Sequence, residues 1–253
     1  MVMFMFFCVI FGAAMGSFAC CQAWRLRLKA TGKKDPGKRS VCLKCGKKLT
    51  WYENIPVVSW VVQRGKCRKC GKKIGAAEIL AELGGAVAFG LVGWKFAQGE
   101  MEMVPIVKMA IVVICTTIVM ILAVYDAKWR ELPVSLLVAA NMVGAAYAAV
   151  DLIWGEMDVV RLVEGVGILA GTYYLLYFLS GERLVGGGDW LLCLAIALVL
   201  GEPWLAVWVL FLSNFIGAVV MMPQKKKKIA FGPFLVMAFV IVYSFSDVIL
   251  KYI

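Results

Sequence analysis

Eight apolar stretches, at 4–24, 78–97, 104–125, 132–150, 159–179, 190–200, 204–222 and 229–250, follow one another with short charged connections between most of them. A helix needs about 20 apolar residues to cross roughly 30 Å of hydrocarbon, and a backbone in lipid must satisfy its own polar groups, which leaves helices as the solution for runs of this length. The chain has 253 residues, 62% hydrophobic and 17% charged, with mean hydropathy +0.85. That is too little charge to cover a water-soluble globule. The pattern predicts an all-α polytopic membrane protein of about eight transmembrane helices, the sixth being short. It also predicts three regions: a first transmembrane helix at 1–24, a cytoplasmic loop domain at 25–77 and a seven-helix membrane domain at 78–253. The apolar start has no basic n-region and no Ala-x-Ala cleavage site, so it reads as a retained span.

The net charge of +11 comes from one region: 16 of the 27 Lys and Arg lie between Arg25 and Lys73, and four more are Lys225, Lys226, Lys227 and Lys228. Basic clusters between apolar spans are topology signals and attract anionic membrane lipids, so they do not point to nucleic acid. With eight spans, the connections 25–77, 126–131, 180–189 and 223–228 share one side and hold nearly all the loop Lys and Arg. The opposite connections hold Glu100 and Glu102, then Asp151, Glu156 and Asp158, then Glu202. The positive side is cytoplasmic by this rule, with both termini outside, in a multi-pass arrangement.

The long loop contains Cys42-x-x-Cys45 and, 21 residues later, Cys67-x-x-Cys70, each pair followed by glycine and two lysines. A two-residue gap lets both thiolates of a pair turn onto one ion, and two pairs complete a tetrahedral S4 set. Two redox Cys-x-x-Cys motifs are the competing reading, but no strand-helix redox pattern surrounds them. The spacing therefore predicts a structural zinc site at Cys42, Cys45, Cys67 and Cys70, closed to a metal-bound water.

Histidine is absent, which excludes Ser-His-Asp triads, Cys-His dyads and imidazole metal ligands. Acid-base work would fall to carboxylates. Asp126 closes a span and Asp189 follows Gly186-Gly187-Gly188 at the start of another. Either alone reads as an interface charge or a loop residue. Ionisable groups at membrane depth are costly and tend to be functional, and successive glycines let backbone approach a neighbour closely. Two adjacent carboxyls share a proton, so one can activate water while the other donates to the developing oxyanion.

These residues carry a resemblance to the bacterial prepilin leader peptidases, the type IV prepilin peptidase and methyltransferase family of intramembrane aspartic proteases. It extends over most of the chain: Gly16-Ser17-Phe18, the two cysteine pairs, Glu53-Asn54-Ile55-Pro56 with Ser59-Trp60, Asp126 with Leu132-Pro133, Gly186-Gly187-Gly188-Asp189 and Phe231-Gly232-Pro233. The resemblance implies that Asp126 and Asp189 are the catalytic pair, supported by Gly186, Gly188, Phe231, Gly232 and Pro233. It implies cleavage of type IV prepilins or pseudopilins after the glycine that ends a basic leader, at the cytoplasmic face. It also implies methylation of the new N-terminus with S-adenosylmethionine, whose site no Gly-rich strand-to-helix loop marks. Glu53 is the candidate for orienting the methyl acceptor or contacting the leader. Three positions depart from the family pattern: Leu191 stands where lysine is usual, Cys20 where asparagine is usual and Leu43 where proline is usual.

Two other functions fit parts of the pattern: a non-enzymatic zinc-bearing assembly factor, and a small transporter coupling protons through Asp126 and Asp189. A scaffold would tolerate Asp-to-Asn changes, and a transporter would place its carboxylates near the midplane. No feature of the sequence sets an oligomeric state or selects pili, a secretion pseudopilus or a competence apparatus.

Overall fold

The computed structural model describes all residues except 34–36, 38, 39, 43, 99–102, 156, 183, 184 and 223–229. Leu43, the acids Glu100, Glu102 and Glu156, and the lysines at 225–228 therefore lie outside the described residues. The described structure is helical, with only two isolated β-bridges, Val41 with Lys48 and Lys66 with Lys73. Six helices are long and apolar enough to cross a membrane, which makes this an all-α multi-pass membrane protein. Two shorter apolar helices, Asp189–Leu200 and Gly232–Ser244, accompany them. The chain divides into two compact units, Met1–Gly90 and Leu91–Ile253.

In the first unit, α1 (Val2–Ala30) packs against the adjoining part of α3 (Ala76–Ala97). A Cβ added at Gly12 would run into the Gly85 backbone, and one at Gly16 into Ala81 and Glu82. Gly12-x-x-x-Gly16 is thus a small-residue stripe that lets two backbones approach, the means by which helices associate where lipid supplies no hydrophobic drive. Phe11 and Phe89 close the contact edge to face at 5.5 Å. Between the helices the loop folds into a 3-10 turn (Trp51–Asn54), α2 (Val58–Val62) and two cysteine knuckles.

The second unit contains α4 (Met103–Trp129), α5 (Val134–Ile153), α6 (Val159–Val166), α7 (Thr172–Ser180), α8 (Asp189–Leu200), α9 (Pro203–Met221), α10 (Gly232–Ser244) and α11 (Ser246–Lys251). A π-turn at Gly167–Gly171 joins α6 and α7 into the expected fifth span. The short sixth stretch is α8, which packs on α5, α6, α7, α9 and α10. Leu192, Cys193, Ala195 and Ile196 are wholly buried, as an apolar helix at the centre of a bundle requires. The last stretch departs from the expected single span: α10 stops at Ser244, Phe245 packs on Trp94 at 5.1 Å, and α11 follows. No Gly or Pro marks that break; the aromatic contact and a clasp beside it hold it. There Lys95 Nζ donates to Ser246 Oγ at 2.6 Å and pairs with Asp247 at 2.8 Å.

A second ion pair lies deeper. Lys108 of α4 meets Asp151 of α5 at 3.0 Å, and its ammonium stands 5.5 Å from the Tyr147 ring centre. Tyr147 and Tyr243 share a buried hydroxyl contact of 3.1 Å, so Asp151 belongs to a helix-joining network within the last turn of α5 and not to an open connection. Removing one member of such a pair leaves a buried charge uncompensated, at a cost of about 3–5 kcal/mol. We expect Lys108→Met or Asp151→Asn alone to lower the melting temperature in detergent sharply, and the double variant to recover much of the loss. A thermal-shift series on the three variants reads this directly.

Candidate active site

Asp126 sits in the last turn of α4 and is 6% exposed. Its Oδ2 accepts the Gly232 N–H at 2.8 Å. Gly232 is the first residue of α10, where amide donors have no intrahelical acceptor, and the following Pro233 has no N–H to leave unsatisfied. The glycine is required sterically: a Cβ there would lie 2.9 Å from Asp126 Oδ2 and 3.3 Å from Asp126 Cβ. Phe231 wedges its ring towards Gly217 of α9 and lies 5.7 Å from the Tyr173 ring. The Phe-Gly-Pro motif is therefore one device, with an aromatic anchor, a close approach and a helix start aimed at a carboxylate.

Asp189 opens α8, and its Oδ2 accepts the Gly186 N–H at 3.0 Å while its own N–H bonds the Gly186 carbonyl at 3.1 Å. The glycines before it are enclosed. A Cβ on Gly188 would lie 2.8 Å from Leu132 Cβ, and one on Gly187 would lie 3.3 Å from the Tyr177 ring. Leu132 follows the end of α4, so the Gly-Asp turn is pressed against the Leu132-Pro133 link between α4 and α5. The two aspartate motifs come together at one end of the second unit. The charges of Asp189 and Arg130 both reach Asp126. Among the described residues, each aspartate spends one oxygen on a backbone amide, and no hydrogen bond engages the other oxygen. Each carboxyl is therefore fixed through one oxygen and keeps the other for a further partner.

Sequence reasoning missed Asn141 on α5. Its amide donates to the Leu137 carbonyl at 2.8 Å and to the Leu191 carbonyl at 3.0 Å. An asparagine inside the apolar run 132–150 was the available signal. Leu191, where the family pattern has lysine, thus contributes its backbone carbonyl to the α5–α8 contact. Cys20, the second departure, is buried in α1.

The four cysteines gather in the first unit, with all four Sγ atoms within 4.8 Å of one another. The two halves are alike: each leading cysteine donates its N–H to a lysine carbonyl five residues on at 2.9 Å and accepts from the following glycine at 2.9 Å. Gly46 and Gly71 have φ +65° and +66°, which a residue with a Cβ rarely adopts. Four thiolates about 2.3 Å from a tetrahedral centre stand about 3.8 Å apart, and Cys42 and Cys70 are 3.8 Å apart. The amides of Cys45 and Lys44 pull the Cys42 thiol down to about 6, and those of Cys70 and Lys69 lower Cys67. For Cys70 the Lys72 amide also pulls down, but burial and the neighbouring sulfurs outweigh it and push the thiol up to about 11. Crowded sulfurs of this kind suit a cation, and the cluster fits a metal ion geometrically.

Glu53 is buried, and its carboxylate is engaged within the loop. Lys47 Nζ donates to Oε1 at 2.7 Å, and the Thr50 N–H and hydroxyl donate to Oε2 at 3.1 and 3.0 Å. The Lys47 bond first, then the Thr50 amide, hold its pKa down at about 2. The S-adenosylmethionine expectation finds no cradle in the glycine triplet, where added Cβ atoms would meet Asp189, Tyr177 and Leu132.

Residues 10–96 match the bacterial Peptidase A24 N-terminal domain, and residues 113–222 match the Type IV leader peptidase family. A prepilin leader peptidase/N-methyltransferase of Neisseria gonorrhoeae is 30% identical over 215 residues, covering 82% of this chain and 71% of the relative. The chain belongs to the type IV leader peptidase family. Proteins of the same name from Klebsiella pneumoniae (30% over 205 residues; 77% and 84% coverage) and Stutzerimonas stutzeri (28% over 213 residues; 79% and 69%) are similar to it. No solved structure matches. The leader peptidase N-terminal match takes in the cysteine knuckles and Glu53, and the second match takes in both aspartates. Phe231, Gly232 and Pro233 lie beyond it, yet α10 supplies the donor to Asp126.

Gly232→Ala would force a methyl group into the Asp126 carboxylate. Overpacking of this kind costs about 1–3 kcal/mol, so the variant should melt measurably lower than wild type. Alanine at Gly84, where an added Cβ meets nothing within 4 Å, should leave the melting temperature near that of wild type in the same assay.

Proposed function

We propose that the protein is a membrane aspartic endopeptidase that removes the short leader of type IV prepilins or pseudopilins after a glycine, at the cytoplasmic face of a bacterial inner membrane. The observation that carries the reading is the pair Asp126 and Asp189, each fixed through one oxygen by a glycine amide at one end of the same bundle. The ionised carboxylate takes a proton from water as its oxygen attacks the peptide carbonyl carbon, and the protonated one donates to the carbonyl oxygen. Collapse of the tetrahedral species breaks the C–N bond as the first carboxyl passes the proton it took from water to the leaving nitrogen and the second recovers its proton from a hydroxyl of the former carbonyl carbon, giving an amine and a carboxylic acid and restoring both aspartates. If α8 and α10 cross together with the six long helices, the eight crossings support a topology with the basic connections and both aspartates on the cytoplasmic side.

The four cysteines would hold one structural zinc, closing the loop without entering the reaction. The names of the relatives include N-methyltransferase, and we extend that activity to this chain as the second half of the proposal. Glu53 would meet a basic leader by exchanging Lys47 for the incoming cation.

Incubating the purified protein in nanodiscs with a membrane-embedded prepilin should release the leader, read by mass spectrometry. Asp126→Asn and Asp189→Asn should each lower the rate by about 100- to 10,000-fold. Unchanged cleavage by either folded variant rules out the dyad. A gain of one methyl mass with S-adenosylmethionine tests the second activity. Elemental analysis should find one zinc per chain, and Cys42→Ser or Cys67→Ser should lose it and open the loop to added protease.

A further inference from the structure

Within the loop of the first unit, one strip of side chains is apolar yet faces outwards. Trp51 is 79% exposed, and Val58, Val61 and Val62 are 54%, 58% and 62% exposed. The three valines fall at i, i+3 and i+4, one side of α2, while Trp60 turns inwards over Gly65. Trp51 and Tyr52 stand edge to face at 5.8 Å, and the Arg68 guanidinium lies 5.4 Å from the Tyr52 ring centre.

The height of this strip is set by a tether. Glu82 Oε2 accepts the Val57 N–H at 2.7 Å. Val57 has φ 61° and ψ −53°, and the Val58 N–H bonds back to the Pro56 carbonyl at 2.6 Å. This is a tight three-residue turn that a β-branched residue adopts only when its surroundings hold it there. Glu82 lies six residues past Ala76, the first residue of α3, which is about 9 Å down the helix at about 1.5 Å per residue. α3 is apolar and long enough to span a membrane, and Leu80, Leu83 and Val87, flanking Glu82, are exposed on it. The start of α2 is therefore held against a helix long and apolar enough to span a membrane, about two turns below that helix's loop-side end.

We propose that Trp51, Tyr52, Ile55, Val58, Val61 and Val62 form an interfacial anchor that dips into the adjoining leaflet and is held there by anionic headgroups. A bilayer is present at that depth beside any spanning helix, whether or not a substrate is bound. Aromatic and aliphatic side chains bordered by cations are what the interface selects. The charge matches too: residues 25–73 carry 16 Lys and Arg against only Asp35 and Glu53, a balance that favours an anionic surface. The anchor fixes the cysteine module on the membrane, and it does so independently of the peptidase reading.

The test uses the full chain in nanodiscs of phosphatidylethanolamine and phosphatidylglycerol. An environment-sensitive fluorescent amino acid replaces Val61 in one protein, Trp51 in a second and the exposed Lys69 in a third. At positions 51 and 61 emission should shift to the blue, acyl-brominated lipid should quench it, and aqueous iodide should quench several-fold less than at 69. Protection should weaken in phosphatidylcholine alone. Iodide quenching at 51 and 61 equal to that at 69 overturns the anchor, and protection appearing only after a prepilin is added assigns the face to polypeptide instead. Equal protection in phosphatidylcholine overturns the role of charge.

Discussion

The hydrogen bond from the Gly232 amide to Asp126 joins two segments 106 residues apart and fixes what surrounds it. A carboxylate in a bundle of apolar helices needs donors, and the start of a helix has amides with no internal acceptor. Bringing α10 head-on to the end of α4 satisfies both needs at once. It demands glycine at the contact, permits proline next and calls for an aromatic to steady the approach, which is the order Phe231-Gly232-Pro233. The Gly186-to-Asp189 turn repeats the solution locally, with a glycine amide again as donor and Leu132 as the wall.

The cysteine module shows the same economy of means. Two six-residue knuckles with the same hydrogen bonds face each other, and the left-handed glycine after each pair turns backbone amides towards sulfur. Glu53 then braces the first knuckle against the 3-10 turn through Lys47 and Thr50. The loop has little core of its own, so a four-cysteine cluster that fits a metal ion, a buried carboxylate and attachment to α3 through Glu82 take the place of hydrophobic burial.

Much of this was legible in the sequence because its signals are local. Apolar run length marks helices, and Cys-x-x-Cys-Gly marks a knuckle. The misses are relations across distance. The run 229–250 reads as one span, yet it breaks at Phe245, where Trp94 packs and Lys95 binds Asp247. Asp151 was read as a charge in a connection, and Lys108 lay unremarked inside the run 104–125; only folding reveals them as partners. Asn141 carried a signal that could have been read, since an amide within a lipid-length run calls for an acceptor. Gly12-x-x-x-Gly16 was likewise visible as a helix-pairing stripe. The pairing of Asp126 with Gly232 was not, although each residue stood in a recognisable motif, because nothing local specifies which helix end meets which carboxylate.

The shortness of α8 has a consequence for solvent. Twelve residues rise about 18 Å, well under the roughly 30 Å of a bilayer's hydrocarbon. Asp189 at one end and the Gly201 turn at the other cannot both reach the headgroups of a bilayer of ordinary thickness. Polar atoms left within that thickness must be paired within the bundle or hydrated, through local thinning or a water-filled notch. The proposed hydrolysis beside lipid would need its water delivered, and a helix too short for its membrane offers a place for it.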